Sequence, residues 1–143
     1  METVTTNIDK YSRVIDANLN RLREGIRVIE DYARYLYDNK ELASSLKEIR
    51  HLSRVDNASN ILSYRDAIND VLKKSTESEM SRCDIEDLIT ANFKRAQESS
   101  RVLEETYKLI LPEISQQFKH IRYSLYTVEK EFYTFINSTS NSK

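Results

Sequence analysis

The chain writes one fifteen-residue stretch twice, and this repeat limits its fold more than any other feature. Ala17-Asn18-Leu19-Asn20-Arg21-Leu22-Arg23-Glu24-Gly25-Ile26-Arg27-Val28-Ile29-Glu30-Asp31 returns as Ala91-Asn92-Phe93-Lys94-Arg95-Ala96-Gln97-Glu98-Ser99-Ser100-Arg101-Val102-Leu103-Glu104-Glu105. Seven positions are identical: Ala17/Ala91, Asn18/Asn92, Arg21/Arg95, Glu24/Glu98, Arg27/Arg101, Val28/Val102 and Glu30/Glu104. Most of what repeats is polar. A duplicated helix kept only for its core would repeat its apolar positions first, so the shared Asn, Arg and Glu residues need their own explanation.

Apolar residues around the first copy fall at Ile8, Tyr11, Val14/Ile15, Leu19, Leu22, Ile26, Ile29, Tyr32/Ala33 and Leu36, which is helical spacing. This predicts a helix over about 8–38, with Thr5-Thr6-Asn7 as capping residues ahead of it. On the wheel Asn18 and Gly25 share the apolar side, Arg21 sits at its edge, Glu24 is displaced further, and Arg27 points outward. Asp38-Asn39 breaks the pattern and caps a second helix carrying Leu42, Leu46, Ile49 and Leu52, ending near Arg54. The second copy repeats the arrangement. Asp84 starts a helix that continues to Ile110, and Pro112 opens a last helix with the seam Ile114, Phe118, Ile121, Leu125, Val128, Phe132 and Phe135. The partner helices echo each other too, since Leu46-Lys47-Glu48-Ile49-Arg50-His51 parallels Phe118-Lys119-His120-Ile121-Arg122-Tyr123.

These elements assemble into an all-α fold, a four-helix bundle of two pseudo-twofold-related helical hairpins within one domain, 1–143. The first hairpin spans 8–56, the second 84–138, and 139–143 is a polar tail. Residues 57–83 are the unrepeated connection, in which Ile61, Leu62, Ile68, Val71 and Leu72 suggest a further helix over about 59–74. One Gly and one Pro in 143 residues disfavour glycine-rich phosphate loops and strand-rich folds. A net charge of -1 offers no global field for nucleic acid or an anionic membrane, so anion binding must be local. Cys83 is alone, as expected of a reduced thiol in a cytoplasmic protein, and no segment reads as a signal peptide or membrane span.

Two constellations carry chemistry. If the long helices face each other, Asn18, Arg21 and Glu24 converge with Asn92, Arg95 and Glu98 on one polar chamber able to hold a small anion. The same residues also suit a register-fixing role, each Asn satisfying hydrogen bonds and each Arg pairing with the Glu three residues on. Arg27 and Arg101 face outward, where a structural role suffices. The second constellation is Arg65-Asp66 with Asp70, and beyond them Glu79 and Arg82. Its carboxylates could hold magnesium and its arginines steady phosphates, or Asp66 and Asp70 could simply form a solvated face. Tyr123 and Tyr126 could stack on a planar base or serve the core. His51 and His120 have no metal-site spacing.

The paired motifs, Ala17 to Asp31 and Ala91 to Glu105, resemble those of a known family. It is the small helical domain often fused to thiamine phosphate synthase and described as a monofunctional hydroxymethylpyrimidine phosphate kinase. The resemblance runs from about residue 11 to about residue 130. The family's Arg-Asp and Asp-Val-Gly elements stand here as Arg65-Asp66 and Asp70-Val71-Leu72, with leucine in place of glycine. The resemblance implies transfer of the ATP γ-phosphoryl to hydroxymethylpyrimidine phosphate, with ATP and magnesium required. In that role Arg21 and Arg95 grip phosphates, Asn18 and Asn92 orient the pyrimidine or its phosphate, and Asp66 or Asp70 holds magnesium. Arg50, Arg65, Arg82 and Arg122 are further phosphate contacts, and Glu24 and Glu98 line the substrate site. The rival class is a non-catalytic adaptor that docks on thiamine phosphate synthase or forms a homodimer through its Tyr- and Phe-bearing faces.

Overall fold

The computed structural model describes residues 4–55, 65–72 and 84–141. Four helices account for most of them: α1 (Val4–Asp31), α2 (Lys40–Leu52), α3 (Ile85–Lys108) and α4 (Pro112–Asn141). No strand occurs among the described residues, and no helix is long and apolar enough to cross a membrane. α1 packs on α2 and α3, and α4 packs on α3 and α2, so the helices form a closed ring of four, as the repeat predicts. Ile15, Leu22, Ile26 and Ile29 of α1 meet Phe93, Ala96 and Leu103 of α3 in one core with Leu46 of α2 and Phe118, Ile121, Leu125 and Phe132 of α4.

The two copies cross where side chains are smallest. Gly25 lies so close to α3 that a Cβ there would stand 3.1 Å from the Asn92 carbonyl oxygen and 3.5 Å from the Ala96 Cβ. Beyond the end of α1, the Tyr37 ring meets Phe132 of α4 edge-on at 5.7 Å, and Glu86 at the start of α3 acts on the Tyr37 phenol. The long helices therefore run antiparallel about the pseudo-twofold.

Local chemistry sets most boundaries. Asn39 accepts the Leu42 N–H at 3.0 Å and caps α2, Asp84 accepts the Asp87 N–H at 2.8 Å and caps α3, and Pro112 is the first residue of α4. The helical seam of α4 holds, with Ile136 taking the last buried position and Phe135 packed half-buried against Tyr37. Three expectations shift. α1 begins at Val4, which puts Thr5-Thr6-Asn7 inside its first turn, and its α-helical geometry ends at Asp31 rather than near 38. A π-helical turn, Tyr32–Leu36, follows, in which the Tyr37 N–H reaches back to the Tyr32 carbonyl at 3.0 Å. Asp38 then adopts a left-handed φ of 50° that lets the Asn39 N–H close on the Ala33 carbonyl at 2.9 Å.

The third correction concerns the connection. Of the helix expected over 59–74, residues 59–64 and 73–74 lie outside the described residues, and 65–72 are bends and turns. Asp66 accepts both the backbone N–H and the side-chain amide of Asn69, and Asp70 accepts the Leu72 N–H. Such side-chain acceptors offer the backbone an alternative to helical bonding. Ile68, Val71 and Leu72 consequently stand in solvent instead of forming an apolar stripe.

Candidate functional site: two related grooves

The repeated polar residues do not meet in one chamber. At Gly25 and Ala96 the interface between α1 and α3 is closed by backbone contact, leaving no room for a ligand. Asn18, which is buried, donates its amide to the Val14 carbonyl at 2.9 Å, and Asn92 does the same to Leu88 at 2.8 Å. Each amide nitrogen is thus used within its own helix, four residues back. The register pairings of Arg21 with Glu24 and of Arg95 with Glu98 do not form either; Arg21 and Arg95 are exposed.

What the duplication builds is a pair of grooves, one on each hairpin. The first is lined by Asn20, Arg23, Glu24 and Arg27 of α1 with Arg50 of α2, and encloses about 270 Å³. The second is lined by Lys94, Gln97, Glu98 and Arg101 of α3 with Arg122 and Tyr126 of α4, and encloses about 410 Å³. These sets occupy matching positions of the repeat. Arg27 and Arg101 are exposed, as expected, and each also lines the groove beside the partner helix of its own hairpin. Arg21 and Arg95 line neither groove.

Each groove is lined by an arginine that is held from behind by a buried carboxylate. Arg50 grips Glu30 with both ends of its guanidinium, Nε to Oε1 at 2.7 Å and Nη2 to Oε2 at 3.2 Å. Arg122 grips Glu104 from Nε and Nη2 at 3.1 and 2.9 Å. Glu30 and Glu104 are 4% and 3% exposed, so each needs its cation to be tolerated as an anion. The carboxylate bond, its largest cause, raises the Arg50 guanidinium pKa; for Arg122 the bond to the Tyr126 hydroxyl is the largest cause, and the bond to Glu104 adds to it against the opposing effect of desolvation. The shared Glu30/Glu104 and Arg50/Arg122 of the sequence thereby acquire their explanation: they lock helix to helix within each hairpin.

The grooves differ in spare charge. Arg23 and Arg27 make no ion pair among the described residues, which leaves the first groove cationic around Glu24. At the matching positions of the second, Gln97 donates to Glu129 at 2.9 Å, and Arg101 reaches Glu105 at 3.2 Å and Glu104 at 3.6 Å. His51, next to Arg50, has its pKa lowered by desolvation and then by Arg54, Arg50 and Lys47.

The connection adds a further asymmetry. Arg65 binds Asp16 of α1 through two bonds of 2.8 and 2.9 Å, and Glu24 acts on it as well. At the position matching Asp16, Thr90 is instead bonded to Tyr133 of the longer α4. Asp66 and Asp70 are exposed or half-exposed, each closing its own turn, and bonding to Asn69 lowers the Asp66 pKa. No group of three or more His, Cys, Asp or Glu side chains among the described residues is placed to share a metal ion. Arg82 and Glu79 lie outside the described residues. Arg23, Arg27, Glu30 and Glu104 were not singled out from sequence as site residues. The signal was present in the partner-helix echo Arg50/Arg122, which a wheel of one helix cannot connect to its neighbour.

A scan against protein families matches residues 13–131 to the model of the ThiD2 family. The chain is similar to a thiamine-phosphate synthase of Synechocystis sp., 39% identical over 119 residues, covering 82% of this chain and 35% of that protein. It is similar to the thiamine-phosphate synthases of Nostoc punctiforme, at 38% over 82% of this chain and 34% of the relative, and of Prochlorococcus marinus, at 35% over 92% and 38%. The chain thus spans about a third of the length of these relatives. No solved structure matches it.

Proposed function

The chain belongs to the ThiD2 family, and we propose that it acts in thiamine biosynthesis as a kinase that moves the γ-phosphoryl of ATP onto the phosphate of hydroxymethylpyrimidine phosphate. The observation that carries this reading is the first groove, where Arg23 and Arg27 have no carboxylate partner among the described residues and stand beside an Arg50 already oriented by Glu30. The acceptor in such a reaction is an anionic phosphate oxygen, which needs no strong general base. Positioning and charge neutralisation carry the rate, and an arginine cluster supplies both. Arg23 and Arg27 grip phosphate oxygens, Arg50 offers the rest of its guanidinium from a fixed position, and Asn20 donates its amide. Arg65, tied to Asp16, holds the connection near Glu24.

Magnesium would neutralise phosphate charge. It is commonly held by one or two carboxylates together with waters and substrate phosphates. Asp66 and Asp70 fit that limited role, since each oxygen engaged in a turn keeps a second lone pair. They do not amount to a preformed site.

The test is production of the diphosphate from ATP, magnesium and the pyrimidine phosphate by purified protein. Arg27→Ala should lower turnover about 100-fold, the scale of losing a charge-stabilising donor. Arg21→Ala and Arg95→Ala, which lie outside the grooves, should lower it by less than about tenfold (~1.4 kcal/mol). A folded wild-type protein that makes no diphosphate rejects the kinase. That result would favour the second reading, a non-catalytic module acting beside a synthase. It draws on the chain matching only about a third of each synthase and on the exposed apolar end at Tyr35 and Leu36.

A further inference from the structure

The first groove does not end at Arg50. Beyond the bond between Arg50 and Glu30 lies a hollow of about 330 Å³, enclosed by α1, the turn after it and α2, and lined by the cations Arg34, Lys40 and Lys47. Glu30 lines this hollow and Arg50 lines the groove, so their ion pair of 2.7 Å is a partition that the two share. Arg23, Arg27, Glu30 and Arg34 follow one another at spacings of four, three and four, which keeps them on one flank of the first helix. Lys40, Lys47 and Arg50 recur at seven and three on the flank of α2 that faces it. Together they make one trough along the hairpin, about 16 Å long from Arg23 to Arg34.

Six cations line the trough against three carboxylates, Glu24, Glu30 and Asp38. Glu30 is committed to Arg50, while Arg23, Arg27, Lys40 and Lys47 make no ion pair among the described residues. Arg34, also without one, lies over the Tyr35 ring, 4.9 Å from its centroid. The other hairpin shows that the fold does not need this excess. Gln97 stands where Arg23 does and Pro112 where Lys40 does, while Arg101 and Lys108, at the places of Arg27 and Arg34, both reach Glu105. One scaffold is thus built with its cations neutralised in one half and not in the other, and the difference answers to an anion.

The lining selects among elongated anions. Ala43 is its one apolar residue, so an acidic peptide finds no pocket for an apolar anchor. No aromatic ring is among the lining residues, so the bases of a nucleic acid find no stacking surface. Repeated phosphates need neither, and guanidinium forks match them. A triphosphate, its ends two P–O–P links apart, covers less than half of the length. We propose that the trough binds a linear inorganic polyphosphate longer than a triphosphate, which runs from Arg23 and Arg27 past Arg50 to Lys47, Arg34 and Lys40. The inference concerns binding alone and stands apart from the kinase reading. A protein that makes no diphosphate but holds the chain keeps it, and an active kinase that ignores the chain loses it.

Calorimetric titration of the full chain with long-chain polyphosphate, tripolyphosphate and poly-glutamate, at constant ionic strength and without magnesium, tests it. Polyphosphate should bind about tenfold more tightly than either comparator. The repeat supplies the control for unspecific attraction, because Lys47 and Lys119 occupy matching positions and their replacement by glutamate changes net charge equally. Lys47→Glu should weaken polyphosphate binding about tenfold or more, and Lys119→Glu by less than about threefold. Arg34→Ala, which leaves every residue of the first groove in place, should weaken it by about fivefold. Circular dichroism checks that each variant folds. No binding of polyphosphate, an affinity no higher than that for tripolyphosphate or poly-glutamate, or equal losses in the two lysine variants would overturn the proposal.

Discussion

Tyr107 is fully buried, stacks nearly parallel on Phe118 at 5.6 Å, and offers a hydroxyl with no hydrogen-bond partner among the described residues. Burying an unpaired hydroxyl is costly, so Tyr107→Phe should raise unfolding free energy by about 1 kcal/mol in urea titrations. Burial also pushes the Tyr107 phenol up to about 12. The neutral form is the one the fold prefers, so the associated stability is fully present below the unfolded value near pH 10 and drains away as pH rises towards 12. In Tyr107→Phe that component of the alkaline limb should vanish; an unchanged limb would reject the assignment. His51 titrates in a different setting. Desolvation, Arg54, Arg50 and Lys47 all disfavour its cation, and Glu30 only partly opposes them. A phosphate in the first groove adds negative charge beside Arg50 and should move the His51 pKa back upward in an NMR titration. By reciprocity, anion affinity should rise as pH falls through that pKa. A His51 resonance whose midpoint ignores saturating phosphate would place the anion elsewhere.

At the scale of elements, each hairpin is a helix pair pinned by one buried carboxylate and one arginine from the facing helix. Glu30→Gln should cost about 3 kcal/mol, because removing one partner leaves the other charge buried and unmatched. Glu104→Gln should cost more. Besides Arg122, its carboxylate lies 3.6 Å from Arg101 and 3.9 Å from Lys108, so three cations lose a nearby anion rather than one, Arg101 and Lys108 keeping Glu105 as their remaining partner. Urea unfolding of the two variants decides it, and a Glu104→Gln loss no larger than that of Glu30→Gln would contradict the difference drawn between the hairpins. The helices themselves were legible in the sequence. Their apolar spacing and their caps at Asn39, Asp84 and Pro112 are local signals, written within a few residues of where they act. The grooves were not, for a geometric reason. A wheel ranks residues by distance from the core of one helix, and it sends Arg27 outward without knowing that α2 lies along that flank. The connection misled in another way, since Ile68, Val71 and Leu72 have helical spacing while Asp66 and Asp70 bond their own turns first.

For the molecule as a whole, duplication supplied two like halves and later divergence made them unlike, through Arg65 on Asp16, Arg54 where the other half has Tyr126, and an α2 of 13 residues facing an α4 of 30. The more extensive of the two contacts that join the halves is the crossing of α1 and α3, where the chain spends its one glycine. Two effects compete at that position. Alanine is favoured over glycine within a helix by about 1 kcal/mol. Against it, the added Cβ would sit 3.1 Å from the Asn92 carbonyl oxygen, which is main chain in mid-helix and cannot swing aside. The two nearly offset, so Gly25→Ala should change stability by less than about 1 kcal/mol. Gly25→Leu gains a similar propensity but must part the two helices to fit its side chain, so overpacking dominates and should cost about 3 kcal/mol. In thermal unfolding that corresponds to a Tm lower by roughly 6–12 °C for a chain of this size. Because the crossing joins the hairpins without lining either groove, phosphate binding at the first groove should survive in whatever fraction of Gly25→Leu remains folded. A Gly25→Leu protein as stable as wild type would mean that the halves are not held together at this crossing.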